Sequence, residues 1–243
     1  MRVETHCHSE YSFDSGLEIK NIVEQCVKIR LEGIVICDHD VCGITENDEK
    51  LFDDNGIKLF KAIEFTTSEG AHIIGISDHI EAFNWEKGKC TSRELVDILK
   101  KTGATIIIPH PDHATGIRGN GKISETDIDY ILSKSNYIEI LNYKYGKTDS
   151  ISEIKSKYPN LECLVGSDAH AMRDVGAVYN ILNTNNIISI SDKKVVEGYV
   201  YRKKNYGRKP IIRKIKSGVL YQVLLRLIPE RLRRKIKNKY INR

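Results

Sequence analysis

Gly33-Ile34-Val35-Ile36-Cys37-Asp38-His39-Asp40 begins as an unbroken apolar run and ends in side chains that can bind a metal. Ile106-Ile107-Ile108-Pro109-His110 repeats the pattern. β-Branched runs without polar alternation predict strands buried on both faces. Working outward, short apolar runs predict seven strands, at Arg2–Thr5, Gly33–Cys37, Leu59–Thr66, His72–Ile76, Ala104–Pro109, Tyr137–Leu141 and Leu161–Val165. Between several of them lie helical patterns. Ile19, Ile22, Val23, Cys26 and Val27 share one face of a helix over 17–29. Ser92 reads as the N-cap of a second helix that Gly103 closes, and 124–135 and 150–158 read as helices, the latter stopped by Pro159. Alternating strands and helices imply parallel βα units, as a barrel or as an open doubly wound sheet.

Composition narrows the class. The 243 residues suit one large or two small domains, with 40% hydrophobic and 29% charged residues, as in soluble globular chains. Six cysteines without a Cys-x-x-Cys pair argue against a disulfide scaffold or a structural zinc finger. The polar start MRVETHCHS is unlike a signal peptide, and the longest apolar stretch, Gly218 to Leu225, falls far short of the ~20 residues a spanning helix needs. The expectation is a cytoplasmic chain with reduced thiols.

The net charge of +5 conceals a split. Residues 1–201 hold 22 Lys+Arg against 32 Asp+Glu, a balance of −10, whereas 202–243 hold 16 Lys+Arg and a single acid, Glu230, a balance of +15. We therefore expect a catalytic body over 1–201 and a basic, amphipathic helical tail over 202–243. In the tail, Val219, Leu220, Val223, Leu224, Leu227 and Ile228 form one stripe before Pro229, and Leu232, Ile236 and Tyr240 recur among basic residues. Such a pattern suits a terminal helix docked on the body with a solvated basic face, the surface of an anionic membrane, or a partner groove, better than nucleic acid.

Metal-competent residues fall at successive strand ends: His6 and His8, Asp38 to Asp40, Glu64, His72, His110, Asp168 and His170. In barrels and open α/β sheets alike, ligands gather at one end of the strands, so these groups can converge. His6-x-His8 and Asp168-x-His170 each place two side chains on the same side of an extended segment. Imidazoles with carboxylates suit Zn²⁺, Mn²⁺ or Fe²⁺.

The chain resembles the PHP (polymerase and histidinol phosphatase) superfamily of metal-dependent phosphoesterases. The resemblance rests on His6-Cys7-His8-Ser9 with Ser12 and Asp14, Ile36-Cys37-Asp38-His39-Asp40, Ile63-Glu64, His72-Ile73-Ile74-Gly75, Ile108-Pro109-His110-Pro111 and Gly166-Ser167-Asp168-Ala169-His170. The stretch from Ile138-Glu139-Ile140 to Val175-Gly176 is similar to the family's associated C-terminal segment. The resemblance implies a distorted (β/α)7 TIM-like barrel holding two or three divalent metal ions. His6, His8, Glu64 and Asp168 would hold the first; Glu64, His72 and His110 the second; Asp14, His39 and His170 the third. His79 is the alternative to His72. Glu64, Asp168 and His170 would be catalytic, and the reaction would be attack by metal-activated water on a phosphate ester of a small metabolite or nucleotide. A protein-tyrosine phosphatase of polysaccharide assembly and a non-catalytic PHP-type binding module are the alternatives. The former's His-x-His-φ-x-Pro opening is missing here, and the complete ligand set speaks against the latter.

Beyond the ligands, Arg118 and Arg173 are the candidate phosphate clamps, since guanidinium forks onto phosphate oxygens. Asp38 or Asp40 is expected either to orient the His39 ring or to cap the following helix. Cys7, between two ligands, should point into the core by alternation.

Overall fold

The computed structural model describes residues 1–83 and 85–182 and the backbone of 195–200. The expected tail over 202–243 lies outside these residues. Among the described residues no helix is long and apolar enough to cross a membrane.

All seven expected strands form, as β1 (Arg2–Cys7), β2 (Gly33–His39), β3 (Lys58–Thr66), β4 (His72–Ile76), β5 (Thr105–Ile108), β6 (Tyr137–Asn142) and β8 (Glu162–Gly166). Three further strands, β7 (Gly146–Lys147), β9 (Val178–Leu182) and β10 (Val195–Val200), extend the sheet. Its order is β10-β9-β1-β2-β3-β4-β5-β6-β7, with β8 beside β6. The sheet curls, so that β8 also returns against β1. Thr5 Oγ1 donates to the Val165 carbonyl at 2.9 Å, and His8 N–H donates to the Ala169 carbonyl at 3.0 Å. Buried Asn180, on β9, accepts from Val165 N–H at 2.9 Å and donates to the Val165 carbonyl at 2.8 Å and to Thr5 Oγ1 at 3.2 Å.

The uniform parallel βα pattern is not what forms. β4 runs antiparallel to both β3 and β5. Only residues 67–71 separate β3 from β4, whereas a parallel return needs a crossover of about a dozen residues, so the chain must turn back as a hairpin. Gly70, at φ +80°, makes that turn. The reversal matters for the site, because it brings the first residue of β4 to the rim where the neighbouring strands end.

Among the described residues five α-helices flank the sheet: α1 (Ile19–Ile29), α2 (Glu46–Asp54), α3 (Ser92–Lys101), α4 (Glu125–Lys134) and α5 (Ile151–Lys157). On α1 the buried stripe is Ile19, Ile22, Val23, Cys26 and Ile29, and Val27 is exposed instead. Helical periodicity places Val27 at the margin of that stripe, where packing decides. Thr91, one residue before Ser92, caps α3 in a reciprocal box with Glu94, while Ser92 is buried against Thr67 and Glu69. α2 was not expected from periodicity. It carries one buried apolar residue, Phe52, and starts on a Thr45–Asp48 capping box.

Strand alternation sorts the core. Val35, Cys37, Phe60, Ala62, Ile74, Ile76, Ile107, Tyr137 and Leu164 pack together inside the curl. Continuing each strand by period two from these residues reaches His39, Glu64, His72 and Glu139. The apolar plug is thus the floor beneath those polar side chains. In β1 the pairing register with β2 shifts between Glu4 and Cys7. Val3 belongs to the inner core but Cys7 to the outer core against α1, which leaves His6 and His8 on the inner side.

Candidate metal centre

The nine expected metal-binding positions come together around Glu64, whose carboxylate is buried at 1% exposure. Its Oε2 lies 3.3 Å from His6 Nε2, 3.1 Å from His8 Nε2 and 3.5 Å from His39 Nδ1. Its Oε1 lies 3.1 Å from both His72 Nδ1 and His110 Nε2. Asp168 Oδ1 is 3.4 Å from His8 Nε2 and 3.2 Å from His170 Nδ1. Asp14 Oδ2 completes the far side, 2.9 Å from His170 Nε2 and 3.6 Å from His39 Nε2. Donor atoms close enough to share an ion group as His6–Glu64–His110, as His39–Glu64–His72, and as His8–Asp14–His39–His170. His39 thus borders two groupings, one more than the family resemblance gave it. His79 is exposed at the start of a short 3₁₀ turn and stands apart, so His72 is the histidine in the cluster.

Backbone geometry at the rim is unusual. His110 and Asp168 both have positive φ, at +28° and +51°. Non-glycine residues adopt such angles at a cost that surrounding contacts must offset. For His110 the anchor is Glu139, whose Oε2 accepts its backbone N–H at 2.8 Å. The same carboxylate accepts from His6 Nδ1 at 2.7 Å through Oε1 and from Asn142 Nδ2 at 2.9 Å. Glu139 is fully buried, and Gly166 makes room for it, because a Cβ there would stand 1.9 Å from Glu139 Oε1. One side chain on β6 therefore fixes a ring from β1 and a backbone after β5. Sequence reading quoted Glu139 within a motif but gave it no role, since nothing in its spacing connects it to His6.

The cluster's electrostatics are those of a cation site. Burial favours neutral carboxyls, but the surrounding imidazoles outweigh it and hold Glu64 and Asp14 well below the usual carboxylate range. Asp168 is held low in the same way against burial, with Lys144 the largest stabilising neighbour. Burial pushes His39 down to about 3, whereas at His170 the Asp14 carboxylate overcomes burial and lifts the ring to about 10. Five ring nitrogens, His8 Nδ1 and Nε2, His39 Nδ1, His72 Nδ1 and His110 Nδ1, are buried without a hydrogen-bond partner. Buried polar atoms are nearly always paired, and three of these nitrogens, His8 Nε2, His39 Nδ1 and His72 Nδ1, lie within 3.5 Å of the Glu64 carboxylate, an arrangement that fits a divalent metal site. Cys37 lies beside His6 and His8, but burial pushes its thiol up and its S–H donates to the Cys7 carbonyl. It is a core thiol, as Cys7 is.

Other expected roles resolve differently. Asp38 accepts from Ser9 N–H and Oγ–H at 2.6 Å each, and Asp40 accepts from Thr66 N–H, Thr66 Oγ1 and Trp85 Nε1. Both acids tie loops together, and neither is hydrogen-bonded to the His39 ring. Arg118 is held by Asp112 at 3.3 Å and by the Asp149 carbonyl at 3.1 Å, and Arg173 lies 3.6 Å from Asp174. Neither arginine lines the cavity of about 250 Å³ that opens over the cluster. Among the described residues the lysines that line it are Lys87 and Lys144, and a lysine in a loop carries no positional signal in the sequence.

An α/β sheet curled around a His/Asp/Glu cluster defines a candidate metal-binding class of site. The chain belongs to the PHP domain family, matching it over residues 4–220. No curated protein matches the chain. Among solved structures it is similar to a two-domain protein from Bacteroides vulgatus ATCC 8482 containing a predicted PHP-like metal-dependent phosphoesterase. That match has a TM-score of 0.58 and 19% identity, over 78% of this chain and 61% of that one. A provisionally assigned metal-dependent phosphoesterase from Bifidobacterium adolescentis ATCC 15703 gives a TM-score of 0.56 and 15% identity over 70% and 88% of the two chains. PsfC from Pseudomonas syringae PB-5123 gives 0.53 and 18% over 79% and 89%. At these identities the likeness is one of fold.

Proposed function

We propose that the protein is a metal-dependent phosphoesterase acting on a small phosphorylated metabolite or nucleotide. The observation that carries this reading is the convergence of six imidazoles and three carboxylates on one buried centre with unpaired ring nitrogens. His6, His8, Asp14, His39, Glu64, His72, His110, Asp168 and His170 would hold two or three Zn²⁺, Mn²⁺ or Fe²⁺ ions. When bound, such ions supply Lewis acidity, acidifying water and drawing charge from phosphate oxygens. The chain's own residues set up that chemistry. Glu64, Asp14 and Asp168 temper the positive charge, the inner core excludes water from below, and Glu139 fixes His6 and the His110 backbone.

Purified protein should carry two or three transition-metal ions by elemental analysis and hydrolyse a generic aryl phosphate. Chelation should abolish turnover, and Mn²⁺, Zn²⁺ or Fe²⁺ should restore it. A metal-free preparation that none of the three ions revives would refute the reading.

The basic segment over 202–243 supports a second proposal, that the protein associates reversibly with an anionic membrane. Each basic residue near such a surface contributes about 1 kcal/mol. Full-length protein should sediment with phosphatidylserine vesicles but not with neutral ones, and truncation after Tyr201 should remove sedimentation while leaving catalysis. Failure of the full chain to sediment sinks the idea.

A further inference from the structure

Among the described residues the large apolar side chains that are exposed include two aromatic rings, Phe13 (45% exposed) and Tyr145 (43%), and both line the cavity over the cluster. Scattered exposed hydrophobics need no explanation, but two rings at one concave mouth mark a ligand face. Each ring is accompanied by a lysine of the same cavity. Lys87 Nζ lies 5.1 Å from the Phe13 centroid, and Lys144 Nζ lies 5.1 Å from the Tyr145 centroid. The four residues come from three separate connections: Phe13 from the β1–α1 loop, Lys87 from the loop before α3, and Lys144-Tyr145 from the β6–β7 turn. Tyr145 is fixed in plane, stacked on His113 at 3.7 Å between centroids and edge-on to His110 at 5.3 Å. Phe13 leans on His39 at 5.3 Å. Lys144 Nζ also stands 3.4 Å from Asp168, at the edge of the cluster, whereas Lys87 stands 3.7 Å from Asp40, outside it.

We propose that Phe13, Lys87, Lys144 and Tyr145 form a recognition rim for a small phosphomonoester whose alcohol half carries a planar ring; the proposal rests on the phosphoester reading of the cluster. Lys144, beside the cluster, takes phosphate charge, and the preorganised rings hold the planar group, with Lys87 extending the positive field over the mouth. Two ammonium groups added to a cation site suit the dianion of a monoester better than the single charge of a diester. The cavity of about 250 Å³ has room for a small molecule.

The test uses full-length, Mn²⁺-loaded protein and two matched ester pairs whose leaving groups are alike, AMP with ribose 5-phosphate and benzyl phosphate with ethyl phosphate. Binding is read by calorimetry and turnover by phosphate release. One pair or both should show the ring-bearing ester binding about 10-fold tighter or more, on the scale of a base–aromatic stack; the AMP pair reports a nucleoside and the benzyl pair a simple arene. In a Phe13→Leu/Tyr145→Leu double variant that preference should fall below about 3-fold, whereas Lys144→Met should weaken both members of a pair alike. Equal binding within each pair, or a preference that survives in the double variant, overturns the rim. A ring preference that the double variant abolishes, without hydrolysis of any ester, keeps the rim and removes the phosphoesterase reading. Hydrolysis with no ring preference does the reverse.

Discussion

Replacing Glu64 by Gln should lower kcat by about 10³-fold or more, on the scale seen when preorganised electrostatic stabilisation is removed from a transition state. Both carboxylate oxygens are in contact with imidazoles, Oε2 with His6, His8 and His39 and Oε1 with His72 and His110. Glutamine keeps the shape but presents one amide nitrogen to rings that offer lone pairs or positive charge, and it removes the negative charge that draws cations to the centre. Bound metal measured by elemental analysis should fall with activity, while circular dichroism and the cooperativity of unfolding remain native-like. Retention of full metal content and near-normal turnover would show that Glu64 is not the hub of the site.

Replacing Glu139 by Ala should weaken metal affinity by about 10- to 100-fold, the range for losing a partner that orients a ligand. Its carboxylate accepts from the His6 ring and from the His110 backbone, so its loss frees two ligand-bearing segments together. Competition with a chromophoric chelator reads the affinity directly. Turnover should recover largely at saturating metal, which separates a positioning role from contact with substrate. Glu139→Gln, which keeps an acceptor oxygen, should lose less than Glu139→Ala. Identical metal affinity in wild type and Glu139→Ala would rule out the role.

Much of this was legible in the chain. Seven apolar runs marked seven strands, and metal-competent residues at successive strand ends marked a single site, because burial on both faces and convergence at one rim leave period-two signatures. β1, β2, β6 and β8 run one or two residues past their apolar runs toward the site, whereas β5 stops at Ile108, one residue before Pro109. β1 runs on through His6 to Cys7 and β2 through His39, since polar side chains dilute the apolar signal while the ladder hydrogen bonds continue. α2 was missed because its single buried apolar residue gives a weak helical stripe. The reversal of β4 was present in the short 67–71 link, but the alternation of apolar runs concealed it.

The sequence by itself thus determined seven of the strands, the split between an acidic body and a basic segment, and which histidines and acids could ligate metal. Tertiary structure alone decided which of them lie close enough to share an ion, that Glu139 serves His6 and His110, and that Lys87 and Lys144 rather than Arg118 and Arg173 line the cavity. The physical reason is range. Burial and hydrogen-bonding periodicity act between near neighbours and leave a pattern in the chain, whereas contacts between β1 and β6, or between a turn and a loop, depend on how the sheet curls. A side chain's direction in a loop has no period at all.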